Sequence, residues 1–370
     1  MRILFDHQIF SLQKFGGISR YFVELAKELR SDPACIVEIS ARVTASPYLV
    51  SSKLSNARTL GVWNFRGKAR LFKMLNKPAT IRLLHQGLFD IFHPTYYDEY
   101  FLPFIGSKPF VLTVYDMIHE RFSADAGAGD PLVQSKRLLA TKAAAVIAIS
   151  QSTKDDLVRY HGIDPAKVHV VHLGYTPRPP HELSIELPER YLLFVGKREG
   201  YKNFEGFLRA VAPLLSEDKS LYIVCAGGGP FTSVEEEIIR ECGVTGRVQR
   251  RPVSDDELAE CYRRAVVFVF PSHYEGFGLP VLEAFAAGCP VVASKGGSLP
   301  EVAGRAARYF SPDDAGDMQR AVGRVLSNAS LRRELAREGY RRLKKFSWNK
   351  MASETKSVYK RILQRTSRGR

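Results

Sequence analysis

Short runs of β-branched and aromatic residues recur along this chain, and most lead through a glycine- or proline-containing loop into a segment of helical periodicity. Uninterrupted apolar runs of this kind are typical of strands covered on both faces. The predicted strands lie within residues 1–5, 37–41, 90–95, 110–119, 143–149, 161–174, 190–196, 220–226, 248–253, 266–270 and 291–293. Because these strands alternate with predicted helices, the pattern indicates an α/β chain with parallel sheets.

The most informative unit lies at residues 266–294, where a strand is followed by the loop Glu275-Gly-Phe-Gly-Leu and by a helix that opens at Pro280. Proline suits the first helical turn because its missing N–H would have no partner there. Free N–H groups and the positive end of a helix dipole, next to two glycines, predict a site for an anion such as phosphate. Glu275 and Glu283 flank this corner, and the alternative is an ordinary βα unit with solvated glutamates.

Length and composition indicate the number of domains and the cellular compartment. The length of 370 residues predicts two domains, and contents of 45% hydrophobic and 25% charged residues are ordinary globular values. Five cysteines without a Cys-x-x-Cys pair predict a reducing compartment and no structural zinc. Asp6 interrupts the apolar start, so no signal peptide is predicted, and no apolar run approaches a membrane span. We therefore expect a soluble, cytoplasmic protein.

The net charge of +15 predicts an anionic partner, which could be a membrane surface, a nucleic acid or a phosphorylated substrate. The distribution of the charge along the chain helps to decide among these partners. Residues 51–89 contain no acidic side chain, and their cations alternate with apolar residues. This pattern is typical of an element that lies on an anionic membrane surface, and a solvated face over a few core residues is the alternative. No nucleic-acid-binding motif is present, so no nucleic acid partner is expected. The cations are Lys53, Arg58, Arg66, Lys68, Arg70, Lys73, Lys77 and Arg82, interleaved with Trp63, Phe65, Leu71, Phe72, Met74 and Leu75.

The loop and helix around Glu275 and Glu283 carry a resemblance to a known family. The two glutamates have seven residues between them, within the string Ser-His-Tyr-Glu-Gly-Phe-Gly-Leu-Pro-Val-Leu-Glu-Ala. This string is similar to the Glu-x7-Glu motif of retaining glycosyltransferases of family 4. The resemblance covers residues 5–363 and is most specific over 194–304.

Membership of that family would imply the GT-B fold, in which two Rossmann-like domains face each other across a cleft. Residues 1–175 would form the acceptor domain, to which a C-terminal helix at about 351–370 returns. Residues 176–350 would form the donor domain, and the stiff connector at 176–180 predicts the boundary.

The resemblance also implies the residues that bind a nucleotide-diphosphate sugar in the second domain. Those that would face the diphosphate are Lys197, Arg198, Lys202 and Asn203, with the N–H groups of Leu279 and Val281. Those that would face the base, the ribose and the transferred sugar are Val253, Glu283, Glu275, Gly276, Phe277 and Gly278. Lys197 stands where the family usually has arginine, so a compact ammonium group replaces a planar guanidinium that could form two parallel hydrogen bonds.

In the first domain, Gly16 and Gly17 match the family's Gly-Gly loop, whose backbone faces the donor diphosphate or the acceptor. Close packing of helix on strand is the alternative. The family has a histidine where Tyr115 stands here. Either Asp116 or His119 takes the role of that histidine, or Tyr115 hydrogen-bonds the sugar itself.

The implied activity is transfer of a hexose with retention, with Glu275, Asp116, His119 and Lys202 as the catalytic candidates. The leaving diphosphate would take the acceptor proton, and the absence of Asp-x-Asp agrees with a reaction that needs no metal and no cofactor. GDP-mannose is the favoured donor, and a bacterial surface glycan on a lipid carrier is the expected acceptor. These expectations place the protein at the inner face of the plasma membrane. The alternatives are an epimerase-like enzyme and a non-catalytic scaffold for polyanions or membranes.

Overall fold

The computed structural model describes residues 1–59, 67–122, 129–177, 185–198 and 200–368. The chain divides into two compact units: unit 1 comprises Met1–Gly174 with Ser347–Arg370, and unit 2 comprises Tyr175–Phe346. Residues 347–350 were predicted in the second domain but belong to unit 1, because the last helix begins at Trp348. The parts of the basic stretch and of the connector that lie outside the described residues are Trp63, Phe65, Arg66 and residues 178–180.

The strands of both units pair in parallel wherever the structure describes them. Unit 1 has the strand orders β2-β1-β3 and β4-β5-β6, and unit 2 has the order β12-β11-β10-β7-β8-β9. A bridge between Phe92 and Phe110 connects β3 to the residue before β4. The strands are β1 (Arg2–Phe5), β2 (Ile36–Ile39), β3 (Ile91–His93), β4 (Val111–Val114), β5 (Ala145–Ala148), β6 (Val168–Val170), β7 (Arg190–Val195), β8 (Leu221–Ala226), β9 (Val248–Arg251), β10 (Val267–Phe270), β11 (Val291–Ser294) and β12 (Ala307–Phe310).

The helices follow the predicted start signals. Ser254 forms the predicted capping box with Glu257, and Ser150 rather than Ser152 caps its helix. No helix among the residues described above is long and apolar enough to cross a lipid bilayer. The helices are α1 (Gln8–Leu12), α2 (Gly17–Arg30), α3 (Pro47–Ser52), α4 (Lys68–Gln86), α5 (Ile118–Phe122), α6 (Pro131–Lys142), α7 (Gln151–His161), α8 (Phe204–Glu217), α9 (Ser233–Glu241), α10 (Asp255–Arg264), α11 (Leu279–Ala286), α12 (Leu299–Ala303), α13 (Ala315–Ser327), α14 (Ala329–Leu343) and α15 (Trp348–Arg368).

The core of each unit lies between its sheet and the helices that cover it. Every residue of β4, β5, β10 and β11 is buried, as the uninterrupted apolar runs predicted. In unit 2, α8 and α13 cover the sheet with side chains such as Phe207, Val211 and Met318. Each such side chain contributes about 1.5–3 kcal/mol by leaving water, so this core fixes the strand ends that carry the candidate site.

The C-terminal helix α15 packs on unit 1 through a buried polar network. The sequence left open whether His93 faces a cleft or packs in the core, and the structure shows it fully buried. Its two ring nitrogens lie 2.6 Å from the Tyr359 hydroxyl and 2.9 Å from Thr113 Oγ1. Burial lowers the pKa of His93 to about 3, so the ring is neutral. A side chain at Gly174 would collide with the backbone at Trp348, so only glycine lets α15 begin there.

Candidate functional site

The strand order of unit 2 reverses between β7 and β10. From β7 the chain proceeds outward through β8 and β9, and it then returns to the other side of β7 with β10, β11 and β12. In parallel α/β sheets, such a reversal opens a crevice at the carboxyl ends of the two strands, and ligands bind there. The loops that follow β7 and β10, which carry Lys202 and Glu275, are therefore the centre of the candidate site.

Lys202 and Glu275 form an ion pair at this reversal. The Nζ of Lys202 donates to Oε1 of Glu275 at 2.7 Å, and the two side chains are only 15% and 11% exposed. Burial alone would lower the pKa of Lys202, but the carboxylate of Glu275 and the neighbouring Tyr201 together raise it. The Glu275 carboxylate thus favours the charged form of the Lys202 side chain despite its burial.

The loop after β11 holds the backbone of Glu275. Ser298 donates from its N–H and its hydroxyl to the Glu275 carbonyl oxygen, at 3.1 and 3.0 Å. Gly297 has a φ of +57°, and a Cβ there would lie 2.8 Å from the Glu275 nitrogen. A Cβ at Gly296 would lie 2.7 Å from the Ser272 carbonyl oxygen. Only glycine fits both positions, so the Gly-Gly-Ser loop determines where the Glu275 carboxylate stands.

Helix α11 begins behind Gly278, which has a φ of +92°, and Pro280 lies in its first turn as predicted. The sequence predicted that the Val281 N–H faces a diphosphate. In the structure this N–H donates to the Gly278 carbonyl at 2.9 Å, so it is engaged inside the first turn. Leu279, the other predicted amide, is the first residue of the helix.

Glu283 lies on α11 and is oriented by a tyrosine from α10. The Tyr262 hydroxyl donates to Oε2 of Glu283 at 3.1 Å. Burial, and then the charge of Glu283, raise the pKa of Tyr262 well above its usual value. The phenol therefore stays protonated and acts as a fixed donor to this carboxylate.

Arg198, which the sequence predicted to face the diphosphate, is paired with a glutamate of unit 2. Its side chain is 4% exposed, and its Nε donates to Glu235 Oε1 at 2.7 Å. The guanidinium also lies 4.7 Å from the ring centroid of Phe231. Its Nη1 is buried and has no hydrogen-bond partner among the described residues, so the contact of Arg198 with the diphosphate stays a prediction. Lys197 is exposed, and it lines an open pocket of 820 Å³ beside the start of α8 together with Arg198 and Asn203.

Asn203 contacts the main chain of two loops next to the site. It adopts a φ of +54° before α8, and its Nδ2 donates to the carbonyls of Pro312 and Pro271 at 2.9 and 3.3 Å. The side chain thus connects the loops after β7, β10 and β12, and its predicted contact with the diphosphate stays a prediction. Val253 follows β9 at the same edge of the sheet and is half-buried.

The predicted Gly-Gly loop of unit 1 lies at the start of α2. Gly16 precedes the helix in an extended conformation, and Gly17 is the first helical residue. A Cβ at Gly16 would lie 2.8 Å from the side-chain carbon Cδ of Gln13. The side chain of Gln13 also accepts the Ser19 N–H of the first turn at 3.4 Å. These contacts favour the packing interpretation of the loop, and the ligand-binding interpretation stays a prediction.

The tip of β4 carries the three residues considered for the role of the family histidine. Tyr115 is 7% exposed, and its hydroxyl has no hydrogen-bond partner among the described residues, while its N–H donates to the Tyr97 hydroxyl at 3.2 Å. Burial raises the pKa of Tyr115 well above its usual value. Asp116 is half-buried and accepts from the N–H two residues further on, at 3.1 Å. His119 is exposed, with its Nδ1 3.0 Å from Asp130.

Sequence reasoning missed the supports of these side chains. The glycines of the Gly296–Ser298 loop follow a buried strand directly, and that signal could have marked a close approach of two backbones. Tyr262 gave no signal, because its contact with Glu283 joins two helices that are separate in sequence.

Comparison with known families adds an independent observation. The family model described as Glycosyltransferase Family 4 matches residues 15–178. The model described as Glycosyl transferases group 1 matches residues 179–342, which include Lys202, Glu275 and Glu283.

Two relatives and one solved structure illustrate the similarity. An MMP α-(1→4)-mannosyltransferase from Mycolicibacterium hassiacum is 32% identical over 243 residues, which are 64% of this chain and 58% of the relative. A D-inositol 3-phosphate glycosyltransferase from Nocardioides sp. is 30% identical over 394 residues, covering 94% of this chain and 85% of the relative. The crystal structure of Anabaena HepE in complex with UDP-glucose matches with a TM-score of 0.71 at 18% identity, covering 99% of each chain. At that identity the last similarity concerns the fold alone.

Proposed function

Because this chain belongs to glycosyltransferase family 4 and has the GT-B fold, we propose that it is a retaining hexosyltransferase. It moves a hexose, with mannose favoured, from a nucleotide-diphosphate sugar to a glycan or lipid-linked acceptor. The observation that carries the proposal is the Lys202–Glu275 pair at the strand reversal of unit 2. A diphosphate needs positive charge, and sugar hydroxyls need strong acceptors. Lys202 supplies the positive charge and Glu275 supplies the acceptor, and the two groups are adjacent.

The proposed chemistry needs charge stabilisation more than a protein base. The bond from the anomeric carbon to the diphosphate oxygen breaks, and the bond to the acceptor oxygen forms on the same face of the sugar. Lys202 stabilises the negative charge that develops on the leaving diphosphate, in the role that a metal ion has in other transferases. The departing oxygen takes the proton of the acceptor hydroxyl. Glu275 holds the transferred sugar, and Glu283 holds the ribose.

Relatives suggest which donors to test first. One relative is named a mannosyltransferase, and one structural neighbour was crystallised with UDP-glucose. GDP-mannose is the donor that we propose, and its base would lie near Val253 after β9. GDP-mannose and UDP-glucose are therefore the first pair to compare.

A panel of donors tests the proposal. Purified protein is heated with GDP-, UDP- and ADP-hexoses, and a donor at about 100 times its Kd should add about 2.7 kcal/mol of stability. Transfer to octyl α-mannoside, added as an acceptor probe, should give a product that retains the anomeric configuration in its NMR coupling constants. Chelation of divalent ions should leave the rate unchanged.

Each other outcome of the panel contradicts a stated part of the proposal. Stabilisation by no nucleotide contradicts the donor site, an inverted product contradicts retention, and loss of activity on chelation contradicts metal independence. Recovery of an isomerised nucleotide sugar without transfer supports the epimerase-like alternative.

We also propose that one face of α4 places the acceptor domain on an anionic membrane. One exposed side of this helix is called the basic face. Its residues, which are spaced to lie on one side, are Arg70, Met74, Lys77, Pro78 and Arg82. Met74 is 63% exposed, which is costly for an apolar side chain in water. The residues of the basic stretch contribute no carboxylate to neutralise these cations. An apolar side chain between cations fits the headgroup region of an anionic bilayer.

Charge reversal on the basic face should abolish binding to anionic vesicles. The double change Lys77→Glu and Arg82→Glu removes about 1 kcal/mol of attraction for each cation and adds repulsion. Sedimentation with vesicles of phosphatidylcholine and phosphatidylglycerol should show the wild type bound at low salt and the variant free. The matched control is Arg333→Glu with Arg337→Glu on the exposed side of α14, which makes the same change in net charge. Equal losses in both variants would contradict a specific face.

A further inference from the structure

A buried triad of one lysine, one glutamate and one histidine lies in unit 1 directly behind the tip of β4. The Nζ of Lys136 donates to Oε2 of Glu120 at 2.9 Å, and Nε2 of His161 lies 3.0 Å from Oε1 of the same carboxylate. The three side chains are 1%, 3% and 2% exposed. They join α5, α6 and α7, and the chemistry proposed above uses none of them.

A buried triad of this kind is not explained by stability alone. Removing charges from water costs several kcal/mol for each ion, and apolar side chains of the same volume are often as stable or more stable. The triad therefore needs a second reason, and the structure offers one in the other contacts of Lys136.

Lys136 also holds the main chain of the β4 tip. Its Nζ donates to the Asp116 carbonyl oxygen at 3.1 Å and lies 5.4 Å from the ring centroid of Tyr97. The hydroxyl of the same Tyr97 accepts the N–H of Tyr115 at 3.2 Å. Lys136 therefore holds the carbonyl of Asp116, and Tyr97, against which it packs, holds the N–H of Tyr115. Tyr115 and Asp116 carry polar side chains at the tip of β4.

We infer that Lys136 is a positioning residue that sets the orientation of Tyr115 and Asp116 toward a hydroxyl-bearing sugar bound at the tip of β4. Glu120, with His161 behind it, holds the ammonium group in place. The carboxyl ends of parallel strands are where such ligands bind, and unit 1 is the predicted acceptor domain. The identity of the ligand in this inference rests on the proposed function. The contacts that Lys136 makes with the β4 tip are independent of that function.

Two substitutions in the same triad separate positioning from stability. Lys136→Met fills the volume but releases the Asp116 carbonyl, whereas His161→Gln weakens the triad and keeps that contact. Misplacement of a substrate-binding group by about 1 Å costs about 10²-fold. Lys136→Met should therefore lower kcat/KM for octyl α-mannoside by about 10- to 100-fold with an unchanged KM for the donor. His161→Gln should stay within about 3-fold of wild type.

Hydrogen exchange gives a readout that does not depend on activity. The Tyr115 amide should exchange faster in Lys136→Met and remain protected in His161→Gln. If Lys136→Met alone does not fold, Lys136→Met with Glu120→Gln removes both charges and carries the same expectations. Equal activity losses in the two triad variants, a change in donor KM, or an unchanged Tyr115 exchange rate would each overturn the inference. A wild type that transfers nothing would instead count against the proposed function, and the exchange rates would still decide the positioning role.

Discussion

Replacing Lys202 with methionine is expected to lower kcat for sugar transfer by about 10³-fold. Methionine keeps much of the side-chain volume in a position that is mostly buried. It removes the charge that we propose faces the leaving diphosphate. Because that charge grows toward the transition state, the loss should appear in kcat more than in the donor KM. Steady-state transfer from the best donor of the panel, with both parameters determined, measures this effect.

Folding must be measured beside the activity, because Lys202→Met leaves the Glu275 carboxylate buried without its cation. Lys202→Met with Glu275→Gln removes both charges, and it should recover stability but not transfer. The matched control is Lys295→Met, which removes an exposed lysine just after β11 and should leave kcat unchanged. Transfer by Lys202→Met at the wild-type rate would remove Lys202 from the mechanism.

The sequence predicted the fold class and the family, and both are confirmed, because parallel strands with buried faces leave uninterrupted apolar runs. The strand β12 was not predicted. Only its end residues, Ala307 and Phe310, are buried, while Arg308 is exposed and Tyr309 half-buried, so no apolar run marks this edge strand. The cap at Ser254 was predictable because a capping box is a local contact between residues three apart.

The candidate site was predictable only as far as its contacts are local in sequence. The strand–loop–helix unit around Glu275 and Pro280 could be read from adjacent residues, and it is present. The ion pair of Arg198 was not predicted because its partner Glu235 lies on α9, far away in sequence, and a cation next to a strand end gives no sign of being already paired. The support of Glu275 by Ser298 is likewise a contact between loops that only the folded sheet brings together.

Replacing Glu120 with glutamine is expected to destabilise the protein by about 3–5 kcal/mol at neutral pH, because it leaves the ammonium of Lys136 buried without a countercharge. Urea unfolding at pH 7 measures the loss. The matched control is Glu24→Gln, which breaks an ion pair of similar length, 3.0 Å, on the surface. That pair is solvated, so its loss should cost about 1 kcal/mol or less.

The same variant should change the response to acid. Burial alone would raise the pKa of Glu120, but the hydrogen bond from His161 and the charge of Lys136 lower it below its usual value of 4.5. A carboxylate with a lowered pKa in the folded state contributes stability that is present above the unfolded pKa and is lost as the pH falls through the folded pKa. The wild-type advantage over Glu120→Gln should therefore be full at pH 6 to 7 and shrink below about pH 4.5. A difference that stays constant down to pH 3 would show that the Glu120 carboxylate does not carry the stability of the triad.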